Sequence, residues 1–173
     1  MSVPTTEEIA RRIAEFKPVE FKPRIISETY YKPLIYTILS PFKSVKISPQ
    51  GVADVVFHVL SFRLEGRYIS KVTNTGLTPV RGLSITSNLE SEGQEIFKEL
   101  RTSVGTLRRG EEKEYTFSWT ISRGLGTLWS LVNIWLSGKT HVREGFVASA
   151  RRFMTEGIVD AEIPVRSINV AWD

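Results

Sequence analysis

The sequence predicts a mainly β fold: an antiparallel β-sandwich with one helix at its N-terminus and a second inserted over residues 127–137. Three observations carry that prediction. Apolar and β-branched residues alternate in short runs, most clearly over Tyr115, Phe117, Trp119 and Ile121. Turn signals such as Asn74-Thr75-Gly76 and Arg108-Arg109-Gly110 separate the runs at spacings typical of sandwiches. Two stretches instead show a helical period.

The first helical stretch opens with Thr5 and Glu8, spaced as a capping box. Ile9, Ile13 and Phe16 follow at i, i+4 and i+7, and Pro18 ends the pattern. A helix of about three turns is marginal alone in water, so its stripe must be buried against something. Beyond it, Glu15-Phe16-Lys17-Pro18 is echoed by Glu20-Phe21-Lys22-Pro23. Residues before proline avoid the helical region, so this segment is expected to run extended. The chain therefore divides into an arm, residues 1–24, and a sandwich body, residues 25–173. Ile9, Ile13, Phe16 and Phe21 are the arm's candidate docking residues. They either dock on a partner, most simply another copy of the chain, or cover the edge of their own sandwich.

From Ile25 to Asp54 the composition suggests two short or edge strands. Tyr30, Tyr31, Ile35, Tyr36 and Ile38 cluster around Pro33 and before Pro41, and Pro49-Gln50-Gly51 reads as a turn. Val52 to Leu64 reads as one strand, with Val56, His58, Leu60, Phe62 and Leu64 on one face. Strands are expected over Tyr68–Thr73 and Val80–Leu89, while residues 93–101 are ambiguous. Val104–Leu107 leads into the turn at residues 108–110. The second helix rests on Leu128, Leu131, Val132, Trp135 and Leu136, with Thr127 able to cap its start and Gly138 its end. The tail returns to strand over Val142–Phe153 and Ile158–Val165, with a last piece at Ile168–Trp172.

Two family resemblances arise from these residues. The run from Lys71 to Ile85 contains Val72, Asn74, Gly76, Val80 and Leu83. With Leu107-Arg108-Arg109-Gly110-Glu111, Phe117 and Trp119, it resembles the CARDB-type domain of bacteria and archaea, an immunoglobulin-like, fibronectin-III-like sandwich. In this reading the Asn-x-Gly turn closes a hairpin, and the Leu-x-x-Gly-Glu corner carries the chain between sheets. The order of helix Leu128–Leu136 and closing segments Val142–Ala150 and Gly157–Val165 is also similar to the late-embryogenesis-abundant group 2, or water-stress, domain. That family usually shows Asn-Pro-Asn where this chain has Asn74-Thr75-Gly76. Both resemblances imply a non-enzymatic domain.

Composition narrows the chemistry. The chain has 173 residues, 41% hydrophobic and 24% charged, enough for a full core without staples. The absence of cysteine removes disulfides, thiolate metal sites and a cysteine nucleophile. Neither His58 nor His141 has a metal-ligand partner at short spacing, and no Gly-x-Ser-x-Gly elbow occurs. His58 is read as a core or half-buried residue and His141 as a loop residue. Gly124-Leu125-Gly126 lacks the rest of a phosphate loop, and Glu111-Glu112 fall in a solvated turn. No enzyme activity, metal or cofactor is therefore expected. The N-terminus has no signal-peptide pattern, and Leu128–Leu136 is far short of the roughly 20 residues that span a bilayer. A soluble cytoplasmic or virion protein is expected. Two Gln and four Asn against 23 Lys and Arg fit a heat-adapted source.

The net charge of +4 gives a mild attraction for anionic partners. Arg143, Arg151, Arg152 and Arg166 read as a possible basic stripe on the closing strands, or as a charged edge that blocks sheet-to-sheet association. The functional expectation is a structural or assembly protein that self-associates or docks through its arm, as a virion or filament subunit would. The alternatives are a cytoplasmic stress-type accessory domain and a weak nucleic-acid binder.

Overall fold

The structure, a computed structural model, describes residues 5–17, 21–122 and 124–173. It is a sandwich of two sheets. One holds β1 (Arg24–Tyr31), β8 (Phe153–Pro164), β7 (Lys139–Ala150), β4 (Val80–Ser91) and β5 (Gln94–Leu107), in that spatial order. The other holds β6 (Glu112–Ile121), β3 (Arg63–Asn74), β2 (Val45–His58) and β9 (Ile168–Ala171). All pairs are antiparallel except β2 with β9, which run parallel from Val55 opposite Ile168. Helices α1 (Thr6–Ala14), α2 (Leu34–Leu39) and α3 (Leu125–Leu136) complete the chain.

Alternation places the core where it was read. Tyr115, Phe117, Trp119 and Ile121 of β6 are all buried, as their shared face requires. Phe97 of β5 crosses the interface, its ring 5.3 Å from Phe117 and 5.8 Å from Tyr68. The Trp119 ring lies over Gly66, its cross-strand partner, where an added Cβ would come within 2.6 Å of it. On the other side Trp119 meets Trp135 of α3 at 5.1 Å. Leu128, Leu131, Val132 and Trp135 of α3 are buried, matching the apolar period.

The Asn74 turn and the corner at residues 107–111 meet in space. The side chain of Asn74 is buried and donates to the carbonyls of Thr78 and Leu107, each at 3.0 Å, while its Oδ1 accepts from Gly76 N–H at 2.9 Å. The Gly110 N–H donates to the Asn74 carbonyl, and Asn74 N–H to the Glu111 carbonyl. The Asn turn is thus fastened to the Leu-x-x-Gly-Glu corner. Gly110, at φ +75°, supplies a left-handed conformation that this corner needs.

Several expectations are corrected. The Asn-x-Gly turn does not close a hairpin: it carries the chain from β3 in one sheet to β4 in the other. Residues 34–39 are helical rather than strand, because Pro33 sits at the helix N-cap, where its missing N–H costs nothing. Pro49-Gln50-Gly51 is a bulge inside β2, not a turn. Val52–Leu64 is broken after His58 by a tight turn in which Phe62 adopts φ 51°, so Leu60 projects into solvent. The ambiguous residues 94–101 join Val104–Leu107 in the single strand β5, whose pairing with β4 is bulged repeatedly. Thr127 does not cap α3, whose N-cap is Gly124; Gly138, at φ +86°, follows its C-cap Ser137. The β7–β8 tail is a hairpin with Arg151-Arg152 at its tip.

The arm's helix lies on its own chain. Thr5 accepts from Glu8 N–H at 3.2 Å, the backbone half of the capping box. Ile9, Ala10 and Ile13 are buried in the same core as the sandwich, against β9 and α3. Arg12 caps the contact, its guanidinium 5.1 Å from the Trp129 ring. Pro18 lies outside the described residues.

Candidate docking surface

The predicted docking residues occupy the arm's contact with its own body. Ile9 and Ile13 are fully covered there, and Phe16 packs half-buried at the core's margin. Phe21 is half-buried, with the Lys139 ammonium 5.3 Å over its ring. The groove that the helix stripe requires is therefore supplied in cis, and these residues offer no free apolar stripe.

The predicted basic residues separate into three places. Arg143 stands on the outer face of β7, where its Nε donates to Asp160 at 3.0 Å. Burial alone would raise the Asp160 carboxyl, but hydrogen bonds from Arg143 and Ser27 hold it below the usual range. Arg166 follows β8, at the far end from Arg151 and Arg152. Twelve residues of strand put those ends roughly 40 Å apart. Arg151 and Arg152 instead lie with Lys43 and Arg81, which are distant from them in the sequence. Arg151 N–H donates to the Arg81 carbonyl at 2.9 Å. The Lys43 ammonium lies close enough that burial, then the charges of Arg81 and Arg152, lower its pKa. Lys43 also donates to the Thr78 hydroxyl at 3.2 Å and to the Pro79 carbonyl.

These four cations border α2. Leu39, Pro41, Phe42 and Thr78 line an open depression of about 520 Å³ together with Lys43, Arg81, Arg151 and Arg152. Beside it α2 shows an inverted burial pattern. Leu34, Ile35, Ile38 and Leu39 fall at i, i+1, i+4 and i+5, one face of a helix. That face points outward: their exposures are 74%, 62%, 70% and 59%. Phe42 and Leu77, joined by a hydrogen bond from Leu77 N–H to the Phe42 carbonyl, extend the patch and are also exposed. No residue of α2 is buried. Large contiguous apolar patches on a protein surface mark interaction sites.

The projection is held in place. Lys32 donates to the carbonyls of Ser40 (3.3 Å) and Lys43 (2.9 Å), with its ammonium 5.6 Å from the Phe153 ring. The same end of the sandwich carries the Asn74 turn and the β7–β8 tip, so the cations and the apolar face share one rigid base.

Three further titratable groups are held by neighbours within the sandwich. His58 is clasped between Glu65 and Asp173, each 2.8 Å from a ring nitrogen, and these bonds raise its pKa. His141, expected in a loop, is instead half-buried within β7, paired opposite Glu162 and 3.9 Å from Asp160, because the strand begins directly after α3. Glu144 of β7 is fully buried between the sheets. It accepts from Tyr68, from Ser70 at 3.0 Å, from Ser87 at 2.9 Å and from Tyr115 at 2.7 Å. Burial raises its pKa against these hydrogen bonds. Among the described residues, no group of three or more His, Cys, Asp or Glu converges as metal ligands would. Also among them, no helix is long and apolar enough to cross a membrane.

No family model matches the chain, and no curated protein matches it in sequence. Solved structures share a partial likeness in fold. The crystal structure of the CARDB domain of the PF1109 protein from Pyrococcus furiosus is 16% identical, with TM-score 0.34, and the match covers 72% of this chain and 89% of that one. The solution structure of AT1g01470 from Arabidopsis thaliana is 15% identical, with TM-score 0.47 and 75% and 87% covered. A protein from Archaeoglobus fulgidus is 17% identical, with TM-score 0.36 and 71% and 96% covered.

Proposed function

We propose that the chain is a non-catalytic docking domain, a rigid sandwich that presents α2 and its basic border to a larger partner. The outward apolar face of α2 carries this reading. Its four aliphatic side chains would each contribute roughly 1.5–3 kcal/mol if fully covered, so leaving them in water forgoes a large stabilisation. The fold nevertheless fixes them outward through Lys32. This moves the docking role from the arm, where the sequence suggested it, to the opposite end of the body. The engagement of His58 with two carboxylates and of Glu144 with four hydroxyls supports a structural rather than catalytic use of those groups.

The test is fractionation of cells producing the full chain. The native protein should travel with particulate material, membranes or large assemblies. The double variant Ile35→Asp/Ile38→Asp should remain in the supernatant with an unchanged melting temperature, since both positions are exposed. A native chain that stays wholly in the supernatant, or a variant that distributes identically, overturns the reading.

A further inference from the structure

Resting on that docking role, we propose that the surface α2 meets is an anionic lipid layer, with α2 inserted shallowly and Lys43, Arg81, Arg151 and Arg152 facing the headgroups. Three observations favour lipid over the other occupants.

The first is shape. The apolar face is a projection, with no residue of α2 buried. A protein partner would have to provide a matching groove; the boundary between headgroups and acyl chains needs none. A six-residue helix is about 9 Å long, so lying in the plane of the interface it presents its whole apolar face to the boundary at once.

The second is charge. Among the described residues, none of the four cations has an ion-pair partner, whereas Arg24, Arg67, Lys71 and Arg143 elsewhere on the molecule do. Lys43 is crowded by Arg81 and Arg152 with no carboxylate to relieve it. Such a concentration of positive charge beside an apolar insert complements the negative surface potential of anionic lipid. It also disfavours a second copy, because an isologous contact over α2 would bring two such clusters together.

The third is placement. Lys32 fastens the loop at both Ser40 and Lys43, and the β7–β8 tip is bonded to Arg81. The insert and the cations therefore keep a fixed relation, and both can meet a flat surface at once.

The chain contains no cysteine, so single labels are clean. The full chain bearing Ile38→Cys is labelled with an environment-sensitive dye, and Leu60→Cys, exposed at the other end of the sandwich, is the control. With vesicles of equimolar phosphatidylglycerol and phosphatidylcholine, the label at 38 should shift to the blue and the label at 60 should not. Binding should be at least about tenfold weaker to phosphatidylcholine alone, and should weaken as salt is added. Arg81→Glu/Arg151→Glu should bring binding to the level seen with neutral vesicles, and Ile35→Asp should lose the blue shift of the 38 label, both with unchanged melting temperature. The proposal is overturned by an absent blue shift at 38, an equal shift at 60, or binding indifferent to lipid charge. A native dimer dispersed by Ile35→Asp/Ile38→Asp in sedimentation would assign the face to a second copy instead. If cell fractionation depends on α2 while pure vesicles are ignored, the docking role stands and the lipid assignment falls.

Discussion

Replacing Glu144 should separate two roles that one buried carboxylate combines. It ties the sheets together: Tyr68, Ser70 and Tyr115 reach it from β3 and β6, and Ser87 from β4. Glu144→Ala removes the shared acceptor of four buried hydroxyls and leaves a cavity. Each buried hydroxyl left without a partner costs about 1–3 kcal/mol, so the variant should lose several kcal/mol. Glu144→Gln keeps the shape and lets the hydroxyls rotate to donate to Oε1 or accept from the amide, while removing the burial penalty on the charge. It should lie within about 1 kcal/mol of the native protein at neutral pH, or above it. The pH dependence distinguishes the two further. The folded-state pKa of Glu144 is raised above its ordinary 4.5, with burial as the largest cause. The native state therefore binds the proton more tightly than the unfolded chain. That contribution to stability is fully present below 4.5 and is lost as pH rises through the raised folded value. Urea titrations of native and Glu144→Gln proteins from neutral to mildly acidic pH should diverge, the native protein gaining relative to the variant as pH falls. Parallel curves across that window, or a cost for Glu144→Ala below about 1 kcal/mol, would refute the account.

Other expectations follow from the same geometry. Ile13→Ala, at a fully buried site between α1 and the body, should cost about 2–5 kcal/mol in urea denaturation. Removing residues 1–17 should likewise lower the melting temperature of the monomer, and an unchanged value would mean that the helix stripe is not a cis contact. Asn74→Ala removes three side-chain hydrogen bonds that join the turn to Thr78, Leu107 and Gly76, a loss of about 2–4 kcal/mol. By NMR the His58 imidazole should titrate above 6.5, first because of Glu65 and then Asp173. Its contribution is complete below 6.5 and fades as pH rises through the raised value, and His58→Asn should abolish that slope.

Local pattern was a good guide where one face of an element meets the core. β6 alternates because every second residue is buried, and α3 shows its period because Leu128, Leu131, Val132 and Trp135 all point inward. The motif halves around Asn74 and Gly110 were visible as turns, but their union was not. The bonds joining them run between residues 30 or more positions apart, and neither turn signals its partner. The Pro49-Gly51 bulge reads as a turn in the sequence because proline and glycine mark turns and bulges alike. In the arm, the stripe of Ile9 and Ile13 was legible, while the identity of its groove was not. Periodicity reports that a face is apolar, never which surface covers it.

The same limit explains α2 and is what gives that helix its interest. Leu34, Ile35, Ile38 and Leu39 form a helical stripe in the sequence, yet Ile35, Tyr36 and Ile38 between two prolines equally suit an edge strand. Every ordinary inference from such a stripe sends it inward. Here the bonds from Lys32 and the turn at Leu77 hold it outward, and the cations beside it come from residues 43, 81, 151 and 152. Only the fold assembles that set, because the α2 loop, the start of β4 and the β7–β8 tip meet at one end of the sandwich. The sequence offered Arg151 and Arg152 as part of a stripe with Arg143 and Arg166. In the structure Arg143 is neutralised by Asp160 and Arg166 is at the far end. What remains is a compact positive border around an apolar insert, and a partner must satisfy both features together. Substituting either feature alone should therefore weaken docking more than a sum of independent contacts would require, because the insert and the border are fixed on the same base.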